Sequence, residues 1–168
     1  MDDIFFDDNY NYYETQHILE AEDMVLHHWD PAIVTACRYA RRAYVVINES
    51  IFNGELPGAY IAYYSPEEEC EDNSTFAFYE AGIIAFNIEN IPHSAIACLN
   101  RLAHEMVHQY CDIKGIKDTD GAYHTEHFKE ISEKAGLECE YKNDFYGYNI
   151  TRLTDAFIGR LSKQINEI

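Results

Sequence analysis

Ile33, Ala36, Cys37, Ala40, Tyr44, Val45 and Ile47 recur at helical spacing behind Asp30, a capping residue type, and Pro31, whose fixed φ suits a first helical position. The pattern predicts a helix from 31 to about 51, closed by Gly54 and Pro57. Three aromatic and β-branched runs follow, at 59–64, 75–79 and 83–88. Polar or glycine-containing turns separate them, which predicts a three-stranded antiparallel sheet. Between 94 and about 111 helical spacing returns, with Ile96, Leu99, Ala103, Met106, Val107 and Tyr110 as a core-facing stripe. A helix over 127–135 should bury Phe128, Ile131 and Ala135 and stop at Gly136 in a left-handed cap. Leu153, Phe157, Leu161 and Ile165 recur every four residues and predict a last amphipathic helix that packs back on the core. Strands and helices segregated in this way make the fold class α+β.

The polar positions of the 94–111 helix carry the candidate chemistry. His104 and His108, four apart, fall along the edge of the apolar stripe, on the side shared by Ala97 and Arg101, so both imidazoles can hold one cation. Glu105 lies about 100° round the helix from His104, within reach of a water on that cation. Two solvated surface histidines would show the same spacing, so a third ligand matters. Gly115, Asp118, Asp120 and Gly121 mark a turning loop, and His124 follows it, placed to return an imidazole to the first pair. His127, or an oxygen of Glu126 or Glu130, is the alternative for that role. Three protein ligands leave one position for water. Zinc lowers that water's pKa towards roughly 7, and a neighbouring carboxylate can take its proton and later pass it to a leaving amine. Tyr110 and Tyr123 read as aromatics that plug a core edge, and His17, His27, His28 and His93 show no ligand spacing.

Several separated motifs, in order, resemble the SprT-like zinc metallopeptidases, in particular their short bacterial and phage-associated members. Ile47-Asn48-Glu49-Ser50-Ile51-Phe52-Asn53-Gly54-Glu55-Leu56-Pro57 is similar to that family's entry from first helix to first strand. His104-Glu105-Met106-Val107-His108-Gln109-Tyr110 and Gly115-Ile116-Lys117-Asp118-Thr119 are similar to its active-site helix and the loop after it. Tyr123-His124, Phe128-Lys129-Glu130 and Gly136-Leu137 are similar to its third-ligand segment and following helix. The resemblance covers roughly 38 to 158. It implies a zincin-type core, zinc held by His104, His108 and His124, Glu105 as catalytic base, and hydrolysis of peptide bonds in protein substrates.

Composition limits the remaining readings. The 168 residues, 47% of them hydrophobic, suit one domain with a real core. Within it, 1–28 is an acidic, aromatic segment without Lys or Arg, and the resemblance implies that 29–168 is the metallopeptidase domain. That first segment reads either as a solubilising tail or as a restraint docked on an electropositive cleft. The five cysteines include no Cys-x-x-Cys pair, so a ribbon-type second zinc site is not expected; Cys37 and Cys98 read as small buried hydrophobes. No apolar run approaches a membrane span and the amino terminus lacks a basic export region, so the expected location is the cytoplasm. With 12 Lys and Arg against 30 Asp and Glu, a formal net charge of −18, direct nucleic-acid binding is not expected. A protein or peptide substrate, especially a basic one, fits that charge. The rival reading is a non-catalytic acidic interaction protein, a DNA mimic or regulator, whose zinc site serves only structure.

Overall fold

The computed structural model describes residues 31–64, 76–87 and 95–167. The readings made on 1–30, Cys70 and His93 lie outside the described residues, as do the side chains of Ile33, Ala36, Cys37 and Ile165. Helix α1 (Pro31–Ile51) buries Ala40, Ala43, Tyr44, Val46 and Ile47. Val45, expected on the buried face, is 48% exposed, because the inward stripe steps through 40, 43, 44 and 47 and leaves 45 to the side. Asn53 and Gly54, both at positive φ, turn the chain out of this helix. Asn48 then fastens the turn, donating to the Leu56 carbonyl at 2.9 Å and accepting from its N–H at 3.1 Å.

Strands β1 (Tyr60–Tyr64), β2 (Ala77–Glu80) and β3 (Ile83–Asn87) form one sheet in the order β1-β3-β2. β2 and β3 make an antiparallel hairpin across Ala81 and Gly82, whose positive φ at both turn positions matches the twist of the flanking strands. β1 lies parallel to β3, with Tyr60 opposite Ile83 and Tyr64 opposite Asn87. The sheet is therefore mixed, which corrects the expected antiparallel arrangement. In β3 the residues Ile84, Ala85, Phe86 and Asn87 are all buried, whereas β2 exposes Phe78 and Glu80. A strand that needs cover throughout takes the centre, and the half-polar strand goes to the edge.

Helix α2 (Ala95–Lys114) runs one turn past its expected end and is buried on every side from Leu102 to Val107. It packs against α1, β2 and β3. Ile96, expected in the core stripe, sits in the first turn and is 48% exposed. The helix closes on Gly115 at positive φ, with the Ile116 N–H reaching the Cys111 carbonyl at 2.8 Å and the Gly115 N–H that of Asp112 at 3.0 Å. β4 (Thr119–Asp120) and β5 (Tyr123–His124) then pair as a hairpin that leads into α3 (Glu126–Lys134). Phe128 and Ala135 are buried as expected, and Gly136 ends the segment at positive φ.

β6 (Leu137–Glu140) and β7 (Ile150–Leu153) pair antiparallel before α4 (Asp155–Glu167). Leu153 thus belongs to a strand, opposite Leu137, and not to the last helix as its four-residue spacing suggested. The Thr154 carbonyl takes the N–H groups of Phe157 and Ile158, so helical bonding begins only after Leu153. Leu161 completes the core against α1. No helix among the described residues is long and apolar enough to cross a membrane.

Candidate metal centre

α2 brings His104 and His108 to one side of the helix, and the β4–β5 hairpin returns His124 to them. Their Nε2 atoms converge: His108 Nε2 lies 3.2 Å from that of His104 and 3.1 Å from that of His124. The three residues form a cluster able to hold a metal ion. Phe128, fully buried, forms its floor, with ring centroids 4.9, 4.7 and 4.6 Å from those of His104, His108 and His124.

Each imidazole is oriented from behind, so that Nδ1 is engaged and Nε2 is presented inward. His108 Nδ1 donates to Asp118 Oδ2 at 2.6 Å, and His104 Nδ1 lies 2.9 Å from the Thr151 hydroxyl. His124 Nδ1 faces the Tyr146 carbonyl at 3.3 Å, with the Asn149 amide nitrogen also at 3.3 Å. The His124 backbone is clasped as well, its N–H donating to the Tyr146 carbonyl and its carbonyl accepting from Tyr148. Gly147 sits inside this clasp at positive φ, and a Cβ there would lie 2.2 Å from the His124 carbonyl oxygen. Asn143 builds the turn by accepting from the N–H groups of Phe145 and Tyr146.

Burial, reinforced by neighbouring His108, holds His124 down at about 4 and holds His104 well below the usual histidine range. Both are therefore neutral near pH 7, the form in which an imidazole can ligate a metal. Glu105 is 2% exposed, and burial pushes its carboxyl up to about 7 against the opposing pull of His108 and Arg101. Arg101 Nη1 lies 3.6 Å from Glu105 Oε1, and the Tyr79 backbone hydrogen-bonds the same carboxyl group. Cys111 is buried beside Asp118, and both burial and that carboxylate push its thiol up to about 12, so it is no thiolate nucleophile.

The alternatives for the third ligand stand apart from the cluster. His127 is exposed with Nδ1 3.3 Å from the Lys117 carbonyl, Glu126 is exposed and accepts from the Tyr148 hydroxyl, and Glu130 is exposed. Asp118 had been legible only as a turn marker, and Thr151, Tyr146 and Asn149 carried no signal as partners of histidines. Their spacing from the three histidines follows from the fold. The Asn143-to-Gly147 stretch has turn chemistry, but nothing local shows which strand it clasps.

Comparison of the chain with protein-family models, with curated proteins and with solved structures finds no match.

Proposed function

We propose that the chain is a zinc-dependent metallopeptidase of the zincin, SprT-like type, cutting peptide bonds of protein substrates with water as nucleophile and without an acyl-enzyme. The observation that carries this reading is the convergence of three outward-anchored imidazoles, two from α2 and one from β5, beside a buried carboxyl group of α2. Nitrogens bound to a tetrahedral zinc at about 2.0–2.1 Å stand roughly 3.3 Å apart, and the Nε2 atoms here stand 3.1 and 3.2 Å apart. The residues therefore fit the ion. Structural zinc sites close with four protein ligands, and three histidines make up this cluster among the described residues. That favours a catalytic site over a purely structural one in an acidic interaction protein.

When bound, zinc supplies Lewis acidity and brings a water's pKa towards roughly 7. The chain's own residues do the rest. Glu105 accepts the proton of the attacking water and returns it to the leaving amine, and its burial keeps its affinity for that proton from being too low for the return step. Arg101 and the Tyr79 backbone hold the carboxyl group in place. Asp118, Thr151 and the Tyr146 carbonyl keep the ligand set from rotating. A cleft of about 290 Å³ opens beside His104 for the substrate chain.

Purified protein should hold one zinc per chain and cleave an unfolded test protein. Glu105→Gln keeps the side-chain shape while removing the basic oxygen, so it should retain zinc and fold while losing turnover by at least roughly a hundredfold. Unchanged cleavage by this variant would assign the proton transfer to another group.

A further inference from the structure

The described residues that line the cleft beside His104 differ in charge from the chain as a whole. Ala97, Asn100, Arg101 and His104, three and four apart on one face of α2, form its floor, and β7 residues and Phe76 wall it. The whole chain carries a formal net charge of −18, yet no carboxylate is found among the described residues that line this cleft. Arg101 gives it a permanent positive charge.

The Arg101 side chain is 27% exposed, and its guanidinium carbon lies 5.7 Å from the Phe76 ring centroid. Its contact with Glu105, at 3.6 Å, is longer than the about 2.7–2.9 Å of a charge-assisted fork. Glu105 therefore engages one nitrogen, Nη1, at long range and leaves the other donors of the guanidinium to match a carboxylate. Asn100 adds to the donors: its side-chain oxygen already accepts from the Leu153 N–H at 2.8 Å, so the function left to it is its amide N–H pair.

We propose that this cleft is a carboxylate-binding subsite, in which Arg101 receives an acidic side chain, or the free C-terminal carboxylate, of a bound peptide. As a subsite for substrate it rests on the metallopeptidase reading. It is compatible with attraction of basic proteins by the acidic surface, because that field acts out to a Debye length of about 8–10 Å and Arg101 acts by contact. A basic substrate protein would be cut beside its acidic residues.

Two measurements test this. In the first, the zinc-loaded full chain is titrated with the α-amide of N-acetylglutamate and with its neutral isostere, the α-amide of N-acetylglutamine, while the backbone amide resonances of Ile150 and Thr151 are followed. The acid should shift them saturably and the neutral compound should not. Arg101→Gln should weaken the acid's binding about tenfold, and Arg101→Lys, which keeps the charge without the fork, should fall between. N-acetylalanine against its amide separates a terminal carboxylate from a side-chain one. An equal response to acid and neutral compound in the wild type overturns the subsite, whether or not the variants fold. So does a response that Arg101→Gln leaves unchanged. In the second, peptides that differ only by Glu or Gln near the scissile bond are cleaved. The wild type should favour Glu about tenfold in kcat/KM, and Arg101→Gln should abolish the ratio. Cleavage without preference contradicts the subsite. Carboxylate-selective shifts without any cleavage support it and refute the peptidase reading alone.

Discussion

Asp118 Oδ2 lies 2.6 Å from His108 Nδ1, so the loop that carries the chain away from α2 returns a carboxylate to an imidazole of that same helix. Both side chains are mostly buried, at 15% and 16% exposure, which shields the contact from water. The pair fixes the tautomer that presents Nε2 to the cluster. Asp118→Asn keeps an acceptor but removes the charge, and should lower zinc affinity roughly ten- to a hundredfold. Competition against a chelator of known affinity measures it, and an unchanged constant would remove Asp118 from the metal centre.

Alanine at His104, His108 or His124 should reduce zinc affinity further than Asp118→Asn does, since each deletes an Nε2 of the cluster. His127→Ala should leave most of the zinc in place, because that ring is exposed and faces the Lys117 carbonyl. Elemental analysis of the four proteins decides between them. Zinc surviving the loss of His124 but not of His127 would exchange their roles.

Gly147 and Gly121 offer a matched pair, at φ of 60° and 62°. Alanine at Gly121 meets nothing within 4 Å and should cost only the left-handed backbone, about 1–2 kcal/mol. Alanine at Gly147 adds a clash with the His124 carbonyl oxygen at 2.2 Å. It should destabilise more and, unlike Gly121→Ala, also weaken zinc binding. Urea melts with parallel zinc titrations check this; equal losses for the two variants would show that the clasp does not hold His124.

Phe128 touches all three imidazole rings and is fully buried. Phe128→Ala should destabilise the metal-free protein by about 3–5 kcal/mol, and Phe128→Leu by clearly less, because leucine refills much of the cavity. Loss of less than about 1 kcal/mol in the alanine variant would mean that the floor is not packed as described.

Local chemistry made the helices and the His104–His108 pair legible. Met106, Val107 and Leu99 carry a period that only a buried helix satisfies, His104 and His108 share a face by virtue of being four apart, and Gly136 marks a left-handed stop. Leu153 shows where the same reasoning fails: its spacing to Phe157 and Leu161 mimics a helix, but its strand pairing with Leu137 takes precedence. The parallel pairing of β1 with β3 was equally hidden, since each strand's own pattern is the same whichever neighbour it meets.

The sequence by itself thus determined that His104 and His108 could ligate one metal, because residue type and helical period are local properties, while the third position stayed open among His124, His127, Glu126 and Glu130. Only the tertiary structure brought His124 to that pair and decided what holds the three histidines still. Asp118, Thr151 and Tyr146 reach their histidines from 10, 47 and 22 positions away. Contacts of that kind depend on how the loop and β7 are brought back to α2 and the Asn143 turn to His124, and no local periodicity encodes that closure.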